Sequence, residues 1–174
     1  MKTELKRGDV SAAGRAFAII VSRWNDEYTS KLADGAVEAL KGAGANEDAI
    51  DIFHVPGAFE LPVASLKAAE SGEYSAVIAL GVVIRGDTPH FEYVAGQVAA
   101  GLMQASMQTG VPIMFGVITA DNVDQVIARC GEKADNKGYE AAISAVETAS
   151  ELSEIRSRTE SRWNVRKEGL FNVV

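Results

Sequence analysis

Residues 76–90 read AVIALGVVIRGDTPH, and this stretch decides the architecture. Its first part, Ala76–Val83, is an uninterrupted apolar run. A strand covered on both faces reads this way, because neither face meets water. The run ends at Arg85-Gly86-Asp87, and a segment with helical character follows. Thr88 suits the N-cap and Pro89 the first helical position, where a missing N–H is no loss. Strand, short turn and helix together make half of a βαβ unit.

Three more runs resemble strands: Ala16–Val21 (AFAIIV), Ala49–Val55 (AIDIFHV) and Pro112–Ile118 (PIMFGVI). Between them lie segments with helical spacing. Leu32, Gly35, Ala36, Ala39 and Leu40 form one apolar stripe, and Ala58–Ala69 and Phe91–Met107 form two further helices. Asn122–Arg129 and Lys137–Leu152 follow the last run as two more. Strands alternating with helices predict right-handed crossovers and an α/β fold, a three-layer α/β/α sandwich around a four-stranded parallel sheet. No linker divides the chain. The expected organisation is one domain over residues 1–174, with 1–15 as an N-terminal arm and about 153–174 as a C-terminal extension. That tail is polar, with Arg and Glu three and four apart, and reads as a solvated extension or a prolongation of the last helix.

Composition narrows the function classes. Of the 174 residues, 47% are hydrophobic and 24% charged, which excludes a disordered or collagen-like chain. The longest apolar run, Ala76–Ile84, falls short of the roughly 20 residues a bilayer span needs. The lone Cys130 excludes an internal disulfide, and the start Met1-Lys2-Thr3-Glu4 leads into no apolar segment, so a reducing, cytoplasmic setting is expected. The formal charge is −7, so neither nucleic acid nor an anionic membrane is an expected partner. An anionic ligand would need a local device.

In an open parallel sheet, ligands bind beyond the carboxyl ends of the strands. After the first run comes Ser22-Arg23-Trp24-Asn25-Asp26. Asn25 or Asp26 can cap the next helix. Trp24 is either packed under a loop or a platform for a flat heterocycle. After the second run, Pro56-Gly57 turns into Ala58, Phe59 and Glu60. Glu60 can complement the helix dipole or accept hydrogen bonds from hydroxyl or amine groups. After the third run, Gly86 lets the backbone approach a ligand, and the free N–H groups at Thr88 and beyond suit a phosphate. His90, at the expected second helical position, is an exposed helix-start residue or a group that takes or relays a proton. Arg129 and Lys137 flank a Gly-containing turn, which is a solvated charged turn or a local positive field. The other histidine, His54, reads as a satisfied core or edge residue of the second strand. One Cys and two His give no metal-ligand spacing, and neither a Walker A loop nor a Gly-x-Ser-x-Gly elbow is present.

Taken together, these segments resemble the 6,7-dimethyl-8-ribityllumazine synthases of riboflavin biosynthesis. The resemblance covers about Ala16–Leu152. It rests on Arg23-Trp24-Asn25-Asp26, on Val55-Pro56-Gly57-Ala58-Phe59-Glu60, and on Gly81 to His90 with Tyr93-Val94. Gly110-Val111-Pro112 and Asn136-Lys137-Gly138 complete it. Each piece is weak; all five in order are specific.

The resemblance implies a flavodoxin-like fold and a transferase. Its members join 5-amino-6-ribitylaminouracil to 3,4-dihydroxy-2-butanone 4-phosphate and release phosphate, without metal or cofactor. It implies that Trp24, beside Asn25, stacks on the pyrimidine. Ala58, Phe59 and Glu60 would hold the ribityl chain and ring, and Val82, Val83 and Ile84 would meet the uracil edge. Asp87 and Thr88 would cradle the phosphate, with Arg129 as counter-charge, and His90 would transfer protons. Phe115 and Lys137 would complete the pocket, Phe115 and Arg129 coming from the neighbouring subunit. Glu140 is where relatives carry an acid that orients the histidine. Many relatives have alanine at the position of Asp87, whose carboxylate must point away from the phosphate or pair with a cation. The resemblance also implies homo-oligomers, pentamers or icosahedral shells, and riboflavin synthase as a candidate partner. Two other readings compete: a non-catalytic flavin or lumazine carrier, and a compartment shell. A pure carrier needs neither a phosphate cradle nor a proton relay.

Overall fold

The computed structural model describes the backbone of residues 11–171 and the side chains of residues 11–163. Residues 1–10 of the expected arm and 172–174 of the expected extension lie outside the described residues. Four strands, β1 (Phe17–Ser22), β2 (Ile50–Val55), β3 (Ala76–Ile84) and β4 (Ile113–Ala120), form one parallel sheet in the order β2-β1-β3-β4. The helices are α1 (Asp26–Gly42), α2 (Leu61–Glu70), α3 (His90–Thr109), α4 (Val123–Ile127) and α5 (Lys137–Phe171).

Alternation along the central strands divides the core in two. Phe17, Ile19 and Val21 of β1 and Ile78 and Leu80 of β3 pack with Leu32 and Leu40 of α1 and Ala142 and Val146 of α5. Ala18, Ile20, Val77 and Ala79 point the other way, against Leu61 of α2 and Val98 and Leu102 of α3. Successive strand side chains face opposite sides, so a continuous apolar run feeds both cores. This is the expected three-layer α/β sandwich.

One local expectation changes, and two open readings are resolved. β2 lies at the sheet edge and is exposed from Asp51 to His54, so His54 is an edge residue and not a core one. The helix after β3 begins at His90, with Pro89 in the cap position, so His90 is the first helical residue and not the second. The Thr88 hydroxyl still accepts the His90 N–H at 3.4 Å. The last helix does not stop at Leu152 but continues to Phe171, with residues 153–163 exposed.

One contact sets where α5 starts. A Cβ on Gly138 would fall 1.9 Å from the Leu32 carbonyl oxygen, so the first turn of α5 abuts the α1 backbone. Asn136, 3% exposed, sits in the same seam. Its Oδ1 accepts the N–H groups of Gly138 (2.8 Å) and Tyr139 (3.1 Å). Its Nδ2 donates to the carbonyls of Lys31 (2.9 Å) and Gly131 (3.0 Å).

Candidate active site

Strand order reverses at β1: one crossover leads outward to β2, the next back to β3 on the other side. Ligands in such sheets bind where that switch occurs, beyond the strand carboxyl ends. A cavity of about 410 Å³ opens there. Trp24 and Asn25 line it from the end of β1, and Val82, Val83 and Ile84 from the end of β3. Ala58, Phe59 and Glu60 enter from the 3₁₀ turn before α2, and His90, Tyr93 and Val94 from the first turns of α3.

Trp24 is not packed under a loop. It is 66% exposed, with its backbone N–H donating to the Pro56 carbonyl at 3.1 Å. The indole lies against Gly57, where an added Cβ would stand 2.8 Å from Cε3. Glycine is therefore what lets the ring lie flat along this wall.

Asn25 departs from the expected capping role. Its backbone is left-handed (φ 62°, ψ 42°), a conformation asparagine tolerates better than most residues. Its side chain caps nothing in α1. Instead Nδ2 donates to the Val82 carbonyl at 3.1 Å, tying the end of β1 to the end of β3 across the cavity floor.

Glu60 is held in place. One carboxylate oxygen accepts the Gly57 N–H at 2.8 Å, which orients the group without using its full acceptor capacity. His90 is exposed at the rim, and its imidazole makes no hydrogen bond among the described residues. Tyr93 and Val94 were not assigned a role from sequence. They lie three and four residues beyond His90, so they share its helix face, and that spacing was the available signal.

The remaining candidates do not line this cavity in a single chain. Asp87 and Thr88 lie exposed in the turn just before α3. The Asp87 carboxylate makes no hydrogen bond or ion pair among the described residues. Phe115 is half exposed on the edge strand β4. Arg129 and Lys137 line a separate shallow depression together with Glu140. There Arg129 Nη1 donates to the Gln125 carbonyl at 2.7 Å, and Lys137 Nζ pairs with Glu140 at 2.9 Å. Cys130 is buried, and burial pushes its thiol pKa up, away from a reactive thiolate. Among the described residues, no three His, Cys, Asp or Glu side chains are grouped to hold a metal ion, and no helix is long and apolar enough to cross a membrane.

The family model described as 6,7-dimethyl-8-ribityllumazine synthase matches residues 14–153. A relative from Chlorobium chlorochromatii (strain CaD3), named 6,7-dimethyl-8-ribityllumazine synthase, is 51% identical over 147 residues, covering 84% of this chain and 95% of its own. The chain belongs to the 6,7-dimethyl-8-ribityllumazine synthase family. The family match takes in all four strands and every residue lining the cavity. The part of α5 beyond residue 153 continues outside it.

Proposed function

We propose that this chain is a transferase that condenses 5-amino-6-ribitylaminouracil with 3,4-dihydroxy-2-butanone 4-phosphate. The products are 6,7-dimethyl-8-ribityllumazine, phosphate and water, the penultimate step of riboflavin biosynthesis. One observation carries the reading: an exposed indole, an oriented carboxylate and a helix-start histidine converge on one cavity at the sheet's switch point. The pyrimidine stacks on Trp24, between the Glu60 carboxylate and the backbone of Val82–Ile84. The amine attacks the ketone to give an imine with loss of water, phosphate leaves, and ring closure expels a second water. His90 moves protons in these steps. Much of the rate enhancement then comes from holding two reactants together, with the rest from the relay and the phosphate cradle.

The phosphate sits at the turn Asp87–Thr88, where the N-terminus of α3 offers free N–H groups. A phosphate there calls for a cation to balance it. Arg85 is already paired with Glu92 and Asp121. Arg129 of an adjacent copy meets that need, and Phe115 of the same copy closes the apolar side, with Lys137 and Glu140 nearby. The large exposed side chains of α3, Met103 and Met107, fit a homo-oligomer with sites between subunits, a pentamer or a shell built of pentamers. Light scattering of the purified protein distinguishes them. Riboflavin synthase, which takes lumazine as substrate, is the proposed partner, and the buried free thiol of Cys130 fits a cytoplasmic enzyme. The chain works as one domain, with α5 beyond residue 153 as its extension.

The decisive assay mixes the protein with both substrates and follows lumazine absorbance and fluorescence. Binding of lumazine or flavin without turnover would instead establish the carrier reading. Two variants probe the pocket. Arg129→Ala is expected to raise KM for the phosphorylated ketone about tenfold, the loss of one charge-assisted contact, with little change in KM for the pyrimidine. An unaltered constant for the ketone contradicts the cradle. Gly57→Ala forces the indole or the Glu60 carboxylate to move, since a Cβ would stand 2.8 Å from one and 3.1 Å from the other. Its expected signature is the reverse: a pyrimidine KM raised about tenfold, in line with the 1–3 kcal/mol of overpacking, and a ketone KM near that of the parent.

A further inference from the structure

The turn that begins α3 is held by a side chain the proposed reaction does not otherwise use. Arg85 is the last residue before Gly86-Asp87-Thr88-Pro89, and its own N–H donates to the Ala120 carbonyl at 2.9 Å, continuing the pairing of β3 with β4. Its guanidinium reaches two carboxylates from different elements. Nη1 donates to Glu92 in the first turn of α3, and Nε donates to Asp121 just past β4 at 2.7 Å. The guanidinium also lies over the Phe91 ring, 4.2 Å from its centroid. These hydrogen bonds and charges raise the Arg85 pKa further, Glu92 contributing most. Its charge is thus committed within the chain.

We propose that Arg85 is a positioning residue: by joining Asp121, Glu92 and Phe91 it clamps the four-residue turn between β3 and α3, and so fixes Thr88 and His90 for the phosphorylated substrate. This rests on the function proposed above. The turn enters the clamp at Arg85 and leaves it at Phe91 and Glu92, so both its ends are tied to one side chain. Gly86 has open space around it and the turn residues are exposed, so packing does little to restrain them. A planar fork with donors aimed in different directions, and a flat face for the ring, can hold three partners at once. A lysine carries the same charge but cannot do this.

The test compares Arg85→Lys, Arg85→Gln and Asp121→Asn with the parent, in the intact assembly. For both Arg85 variants the expected result is a KM for the phosphorylated ketone raised about tenfold, with KM for the ribitylaminopyrimidine within about twofold. Asp121→Asn, which keeps the shape and drops one charge, gives a smaller shift in the same constant. Wild-type constants in Arg85→Lys, or equal rises in both constants, overturn the clamp. Amide hydrogen exchange over residues 86–92 supplies a second readout that needs no turnover. Exchange there is expected to quicken about tenfold in Arg85→Gln, because local opening sets the rate. Unchanged protection overturns the clamp whatever the activity. A parent protein that makes no lumazine refutes the proposed function, while the exchange result still decides whether Arg85 holds the turn.

Discussion

Replacing His90 with alanine is expected to slow lumazine formation about 10²-fold, the low end of what a positioned acid–base group supplies. The association state should be unchanged. His90 begins α3 at the cavity rim, and its ring is exposed, so alanine removes no core contact. Its imidazole engages no other described side chain, which leaves both ring nitrogens for substrate. In the proposed sequence it is the residue of the pocket that both gives and takes a proton. Glu60 is the other titratable group lining the cavity besides Tyr93, and its carboxylate is bound to the Gly57 N–H. The loss stays near 10²-fold because holding the two substrates together survives the substitution, and that contribution is the larger. The measurement is kcat by absorbance, with both substrates saturating and light scattering on the same sample. The fall should appear in kcat with KM for the pyrimidine little changed, since stacking on Trp24 does not involve the imidazole. A variant that turns over like the parent removes His90 from the mechanism. Restoration of rate by added imidazole would place the missing function on proton transfer rather than on shape.

The sheet was legible because its two central strands, β1 and β3, are buried on both faces. Ala76–Val83 and Ala16–Val21 carry the pattern that only a covered parallel strand needs, and the stripe from Leu32 to Leu40 faces the α1 side of that sheet. The pocket was legible for a related reason. Once strands and helices are placed, the segments after β1, β2 and β3 must meet at one end of the sheet, which brings Trp24, Glu60 and His90 together. What failed was what local sequence does not carry. The run Ala49–Val55 left core and edge both open for His54, and only sheet order decides for the edge. Asn25 precedes a helix and so reads as a cap, but a left-handed backbone turns its carboxamide across to Val82. Phe115 and Arg129, expected from a neighbouring copy, lie outside the cavity within one chain. Asn136 stood in the matching motif without a role. Its position just before Lys137-Gly138 was an N-cap signature, though its contacts with α1 depend on tertiary packing that no spacing reveals.

Those contacts make Asn136 the site of the largest expected stability effect: Asn136→Ala should cost about 3 kcal/mol, roughly a 150-fold shift toward the unfolded state. Loss of the cap accounts for about 1–2 kcal/mol, and stranding the N–H of buried Gly138 for about 1–3 more, the two overlapping in part. The carbonyls of Lys31 and Gly131 add less, since both residues are exposed and water can reach them. Relaxation cannot recover much. Asn136 rests on Gly35, where an added Cβ would stand 2.6 Å from the carboxamide, and Gly138 already abuts Leu32. The alanine therefore leaves a gap in a seam whose backbones cannot close further. Asn136→Asp separates the parts, because a carboxylate still accepts from Gly138 and Tyr139 but cannot donate to Lys31 or Gly131. It should retain about half of the lost stability. Urea unfolding at a fixed protomer concentration measures both, since association adds to apparent stability. A loss below about 1 kcal/mol would mean that the seam relaxes and the cap matters little. The same substitution reaches the proposed pocket. The Lys137 N–H donates to the Arg129 carbonyl at 2.9 Å, so the residue that caps α5 also sets the height of the Arg129 turn. Asn136→Ala should for that reason raise KM for the phosphorylated ketone even at temperatures where the protein stays folded, and Arg129→Ala made in that background should add little further loss.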